Sequence, residues 1–448
     1  MVARRQAASA LGLSLAVAVL SGCGSEPNSP TVHAQLELSP AIPTVGVLTW
    51  EADVAIDSAT VEFGRSPGQY EHTAPVDVAD PDQPVLLLGM KADTVYYARV
   101  VADHGGETLS SDELSVTTGA VPNDLPRIEV NDRRRDDVYG GFSISCNLVV
   151  EGGYAFIYDA DGDYVWWHAL LDTSVEGCSR ARLSFDGKYV WIGNLNNFGS
   201  EGALLRVTVD GMHSESYSLP RRHHDFAVLP NDHILYFERK SGGDAEDGSE
   251  GPDVIKELDP ETGDSEELYD QSTDFADAES GAHTNYIAYV PELEAISFSM
   301  RSLSTIGVIS YPNPELMLVF GGSESDFDIS WNVQHGHQLT HDSLLLFNNE
   351  ADASSSTPGA SAALEFRYDA EAGEAEKVFE YAPGNTSFVM GDVQRLPNGN
   401  ELVTFSTQGV IHEIDSDGEL LREISTDPVG YVQQQKSLYG PPPPFLTE

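Results

Sequence analysis

Leu229-Pro230-Asn231-Asp232-His233-Ile234-Leu235 and Leu396-Pro397-Asn398-Gly399-Asn400-Glu401-Leu402 are one hairpin written twice. In each, an apolar strand end meets a Pro-Asn turn and a new apolar strand follows. Asp-rich turns lie downstream of both, at Asp259-Pro260-Glu261-Thr262-Gly263 and Asp415-Ser416-Asp417-Gly418. Further copies stand at Asp369-Ala370-Glu371-Ala372-Gly373 and Asp159-Ala160-Asp161-Gly162. The last opens like a calcium loop but lacks the later ligands and the flanking helices, so it reads as a turn. Working outward, the chain divides into six units, roughly 140–175, 178–220, 222–270, 282–322, 334–385 and 390–428. A β-repeat of this size, with about four strands per unit, predicts a six-bladed β-propeller over residues 135–430. The acidic run Gly242 to Gly251 reads as an insertion in a blade loop.

Residues 33–118 alternate apolar and polar residues in short strands separated by turn clusters, as in a small β-sandwich. Trp50 lies in an early strand. The segment Leu88-Gly89-Met90-Lys91-Ala92-Asp93-Thr94-Val95-Tyr96-Tyr97-Ala98-Arg99-Val100 resembles the fibronectin type III pattern, with Tyr96 at the tyrosine-corner position. No His, Cys or carboxylate cluster marks this domain, so its expected role is that of a spacer. Residues 119–134, with Val121-Pro122-Asn123-Asp124-Leu125-Pro126, read as a linker, and 431–448 as a C-terminal tail. The expected fold class is all-β, a propeller preceded by a small sandwich. The 40 Gly and 25 Pro among 448 residues suit that turn-rich plan.

The first 23 residues read as an address. Arg4 and Arg5 precede an apolar run from Ala7 to Leu20 that is too short to span a bilayer comfortably. It ends in Leu20-Ser21-Gly22-Cys23, which resembles a bacterial lipobox. That resemblance makes Cys23 the lipidated N-terminus of an exported lipoprotein, on the periplasmic side of the envelope or in the outer membrane. Residues 24–32 then form a tether. Cys146 and Cys178 remain, in an oxidising compartment, and could pair. Spacing alone does not show it, because a bond depends on Cα separation.

Asp and Glu number 72 against 24 Lys and Arg, a net charge of -48. Such a surface repels phosphate backbones and excludes nucleic acid as a partner.

The repeat gathers scattered histidines. The first strand of each blade lines the channel, and all first strands run in one direction. Their starts therefore meet at one mouth, and the antiparallel second strands end there. His223-His224-Asp225, His283-Thr284-Asn285 and Gln334-His335-Gly336-His337 open three consecutive units. Arg301, Phe347-Asn348-Asn349-Glu350 and Phe237-Glu238-Arg239 end second strands at the same mouth. Exact equivalence between units is not set by the sequence. His168, His233, His341 and His412 lie elsewhere in their units and read as ordinary polar groups near strand ends.

His-His-Asp before a Leu-Pro-Asn turn resembles the bacterial arylsulfate sulfotransferase family. So do His283 followed eighteen residues later by Arg301, the Gln334-His335 start, and Gln394-Arg395-Leu396-Pro397-Asn398-Gly399-Asn400. The similarity covers most of residues 120–430. It implies sulfuryl transfer from a phenolic sulfate ester to a phenol acceptor through a sulfohistidine, with no nucleotide sulfate donor, no cofactor and no metal. Carried over, the nucleophile falls on His335, with His224, His283 and Arg301 as catalytic partners. His337, two residues on, is the alternative nucleophile or a substrate contact. Asn349, Trp331 and Phe298 are the other candidate substrate-binding residues. Two different functions compete: a zinc-type hydrolase built on the three histidines, and a non-catalytic binding propeller anchored at the envelope.

Overall fold

A computed structural model describes residues 30–149, 152–196, 201–240, 252–350 and 359–441. The signal segment with Cys23, the tether up to residue 29 and the acidic run Gly242 to Gly251 lie outside the described residues.

Blades 2 to 5 are plain four-stranded meanders, each read from the channel outward in chain order. Their first strands are Cys178–Leu183, Arg222–Val228, Thr284–Val290 and Gln334–Leu339. Arg222–Val228 is buried at every position, as a strand packed on both faces must be. Blades 1 and 6 are completed by strands from outside the six sequence units. Gln433–Gln435 becomes the innermost strand of blade 1, beside Phe142–Cys146. Glu129–Asp132 becomes a fifth, outermost strand of blade 6, beside Leu420–Ser425. The stretches expected as linker and tail therefore each supply a strand. Closing the ring in this way pairs edges that would otherwise leave backbone N–H and C=O groups open. Such three- and four-residue strands carry too little alternation to be seen in the sequence. Among the described residues the helical turns are all short 3-10 segments.

The sandwich packs a sheet of Val32–Leu38, Gly46–Ala52 and Val85–Leu87 against a sheet built on Ser58–Gly64 and Val95–His104. The buried Tyr96 hydroxyl accepts the Lys91 N–H at 3.0 Å. Lys91 also docks the sandwich on the propeller, its ammonium 3.0, 2.7 and 2.6 Å from Asp159, Asp161 and Asp163. That is the Asp-rich turn with the look of a calcium loop, and a lysine fills it. Thr44 Oγ1 donates to Val165 O at 2.7 Å, and Leu88 N donates to the Tyr439 hydroxyl at 2.9 Å. The Asp159–Asp163 turn follows a third strand, so strand alternation puts the sandwich on the face where first strands end. The face where first strands begin stays clear of these contacts.

Cys146 and Cys178 are bonded, joining blade 1 to the first strand of blade 2 with Cα atoms 6.1 Å apart. The bond closes a loop with a sequence separation of 32, for which the chain-entropy estimate is about 3–4 kcal/mol. The Cys146→Ser/Cys178→Ser double variant should lose stability of that order in denaturant unfolding. Unchanged unfolding would show that the bond adds nothing to ring closure.

Candidate active site

Each of blades 2 to 5 opens with a residue in the left-handed region, at φ +70° for Gly177, +63° for Arg221, +51° for His283 and +63° for Val333. Its carbonyl accepts the N–H of a residue at the end of the second strand or one position past it: Leu195, Arg239, Arg301 and Asn349 respectively. This pairing fixes which positions correspond. Arg301, Arg239 and Asn349 share one position. His223 and His335 share another, two residues after the opening residue. His283 is itself an opening residue.

The three histidines are therefore not equivalent in the repeat, and bulges of different length explain how they still meet. Blade 3 inserts His224 and Asp225 between the pairs His223↔Phe237 and Phe226↔Tyr236. Blade 4 inserts Asn285 between Thr284↔Met300 and Tyr286↔Ser299. A bulge re-aims the side chains that follow it. His224, itself left-handed at φ +55°, is turned onto His283, with ring centroids 4.8 Å apart. Non-glycine residues in this region each cost about 1 kcal/mol or more and cluster at functional sites. Blade 5 is bulged at Gln334/His337. There Gly336 has no room for a side chain: a Cβ would stand 2.0 Å from Asp392 Oδ1.

His335 is buried, and its Nδ1 lies 2.7 Å from Asn349 Oδ1. Asn349 Nδ2 donates to the carbonyls of Ser387 and Met390 at 2.6 and 2.8 Å. With both amide hydrogens so used, Oδ1 must accept, and His335 carries its proton on Nδ1. Nε2 keeps a lone pair. Burial pushes the ring's pKa down to about 3, against the Asn349 bond and with help from Arg301 and His283. His335 is thus neutral throughout the ordinary pH range.

A second chain of bonds runs behind His224. Asp253 Oδ2 accepts Thr284 N–H at 3.0 Å, and its Oδ1 lies 3.0 Å from His223 Nε2. His223 Nδ1 lies 2.8 Å from His224 Nδ1. Burial opposes charge on Asp253, but the His223 and Thr284 contacts outweigh it and hold the carboxyl below its usual range. An ionised Asp253 accepts the hydrogen bond that His223 Nε2–H donates. His223 Nδ1 then accepts from His224 Nδ1, and His224 Nε2 is left as a base. Burial and the neighbouring His283, His223 and His335 rings hold His224 well below the usual imidazole range.

His224, His283, Arg301 and His335 thus form one electrostatic neighbourhood at the mouth where first strands begin. His337 does not join it. Its ring stacks obliquely on Tyr286 at 4.8 Å, its Nε2 lies 2.8 Å from Ser297 Oγ, and its charged neighbour is Arg180. Alternation around Gly336 sends it deeper into the channel. Asn349, expected to touch substrate, stands behind His335 instead. Phe298 is fully buried among Tyr269, Phe275 and Gly307 and is core packing. Trp331 packs on Phe366, and its indole N–H donates to Gln334 Oε1 at 2.8 Å. His233 is bonded to Glu257 and His412 to Tyr381. Asp253 and His223 escaped the sequence reading as site residues. Asp253 opens a third strand, and no motif links it to a histidine 30 positions away.

Among the described residues, the group of His, Cys or carboxylate side chains with ligand atoms all within 4.8 Å is Asp159, Asp161 and Asp163. The three mouth histidines do not form such a group.

A model of the arylsulfotransferase (ASST) family matches residues 128–428. No curated protein matches the chain. Among solved structures, a Pseudomonas aeruginosa periplasmic gluconolactonase is 13% identical, covering 75% of this chain and 94% of its own, with TM-score 0.41. A virginiamycin B lyase from Staphylococcus aureus is 14% identical, covering 70% and 91%, with TM-score 0.39. A Bacteroides caccae protein of unknown function is 13% identical, covering 65% and 98%, with TM-score 0.44. The family match runs from the outer strand of blade 6 through its last meander strand and leaves out only the Gln433–Gln435 strand of blade 1, and the chain belongs to the arylsulfotransferase family.

Proposed function

We propose that the protein moves a sulfuryl group from a phenolic sulfate ester to a phenol through a sulfohistidine on His335 Nε2, without a nucleotide sulfate donor. The observation that carries this reading is the Asn349–His335 bond, which leaves a buried, neutral imidazole with its free lone pair on Nε2. In the first half-reaction Nε2 attacks sulfur, an N–S bond forms, and the S–O bond to the aryl group breaks. The phenolate has a conjugate-acid pKa of about 10 and leaves with little help. Charge spreads over the sulfuryl oxygens, where Arg301 and His283 donate hydrogen bonds. In the second half-reaction an acceptor phenol attacks sulfur and the N–S bond breaks. The phenolic proton passes to His224 Nε2, whose new charge is stabilised through His223 by Asp253.

The anchoring and the sandwich belong to the same proposal. Cys23 carries lipid on the periplasmic side of the envelope, and the sandwich, fibronectin type III-like in its strand order and its Tyr96–Lys91 contact, spaces the propeller from it. Docked on the opposite face, it leaves the reactive mouth open.

Kinetics with an aryl sulfate donor and a phenol acceptor test the reading. His335→Ala should abolish turnover and with it the ping-pong pattern, whereas His337→Ala should leave both in place. Arg301→Met should cost about 10²–10³ in rate. Normal ping-pong turnover by His335→Ala would end the proposal.

Asp253→Asn separates the two half-reactions. The burst of phenolate that reports sulfation of His335 should survive, while transfer to the acceptor slows by about 10² or more, the scale of general base catalysis. Equal loss in both steps would contradict the assignment of His224 as the base. The burst itself should hold its rate from pH 8 down to about 5, because His335 titrates near 3 and not near the ordinary value of about 6.5. An acid limb centred near 6.5 would show a different nucleophile.

A further inference from the structure

Mid-channel, the buried Arg180 guanidinium binds Asp225 at 2.6 Å, lies 3.7 Å from Asp392 and stacks over Tyr431 and Tyr286 at 4.2 and 4.9 Å. Asp225 also accepts Ile287 N–H at 3.1 Å, so blades 2, 3 and 4 share this ion pair. Beyond it, toward the mouth where first strands end, lies a cavity of about 480 Å³. His335, His224, His283 and Arg301 do not line it.

Leu183, Val228, Ala288, Leu339 and Val432 supply the apolar part of its wall, and the carboxylates Asp392 and Glu292 also line it. Polar groups share the lining, and several are already paired: Arg180 with Asp225, Arg395 with Glu365 and Glu401, and Gln394 with the carbonyl of Gln434. His337 is 1% exposed and lines the cavity, yet its Nδ1 has no hydrogen-bond partner among the described residues. Arg182 Nε and Gln433 Oε1 line the same cavity in the same condition. Arg182 has no ion pair among the described residues, where Arg180 has Asp225 and Arg395 has Glu365 and Glu401. An unpaired guanidinium, an orphan imidazole nitrogen and an orphan amide oxygen on the lining of one chamber that also has an apolar wall form the pattern of a ligand pocket. Polar groups left unmatched there are costly unless a ligand or water satisfies them.

We propose that this half of the channel is a second binding site, for a small organic monoanion. Its charged end pairs with Arg182 and bonds His337, and its compact apolar body lies against the channel walls. The site stands independently of the sulfuryl-transfer reading, since a shared layer of side chains separates it from His335.

Titration calorimetry on the full chain tests this with phenylacetate as probe and 2-phenylethanol as its uncharged counterpart. Phenylacetate should bind saturably at one site, at least tenfold more tightly than the alcohol. Arg182→Gln should weaken it at least tenfold, Ala288→Trp should abolish it by filling the chamber, and His335→Ala should leave it unchanged. Absence of saturable binding to the unmodified protein overturns the proposal. So does binding that resists Ala288→Trp, or binding lost on His335→Ala, which would place the probe at the other mouth. If Arg182→Gln does not fold, Ala288→Trp with the uncharged counterpart decides. Heat is read without turnover, so failure here leaves the proposed function untouched, and the reverse holds.

Discussion

Asn349 donates both amide hydrogens to the carbonyls of Ser387 and Met390, in the connection between blades 5 and 6. What remains for His335 is an acceptor. The tautomer of the buried imidazole follows from that, and so does the placing of a lone pair on Nε2 rather than Nδ1. A neutral amide does this without adding charge. A carboxylate in the same place would favour imidazolium and remove that lone pair. The arrangement depends on how blade 5 packs against its junction with blade 6, which supplies the two carbonyls that hold Asn349.

Bulges and left-handed residues at the blade starts convert a symmetric ring into an asymmetric site. A regular propeller would present the same position six times around the mouth. Here Arg221, His283 and Val333 occupy one position and His223, Asn285 and His335 another, and the two extra residues of blade 3 turn His224 toward His283 and Asp225 into the channel. Two placements thus separate along one strand: His224 lies at the mouth against His283, and its neighbour Asp225 ties three blades together through Arg180 and Ile287. The same division recurs in blade 5, where His335 and His337 face different compartments on either side of Gly336.

How much of this the sequence makes legible follows from range. The twice-written Leu-Pro-Asn hairpin and the Asp-Gly turns are local and repeat, so the propeller and its six units can be read directly. The convergence of His224, His283, Arg301 and His335 at one mouth follows from strand direction alone. Register within the mouth does not, since a one- or two-residue bulge leaves no composition signal. That is why Asn349 reads as a substrate contact when it stands behind His335, and why Phe298, a core ring, reads as a candidate pocket wall. The strands Glu129–Asp132 and Gln433–Gln435 are hidden for a related reason. Their pairing partners lie hundreds of residues away, at Leu420–Ser425 and Phe142–Cys146, and ring closure rather than local preference makes them strands. The relay from Asp253 is equally non-local.

The central claim is that Nε2 of His335, and no other side-chain atom, accepts the sulfuryl group. Mixing the protein with an aryl sulfate in the absence of acceptor, quenching at alkaline pH and mapping the modified peptide by mass spectrometry tests it directly. The account predicts one sulfuryl group per chain on the peptide carrying Gln334-His335-Gly336-His337, located by fragmentation at His335. Sulfate on His337, on His224 or His283, or on no residue under conditions where the donor is consumed, would contradict it.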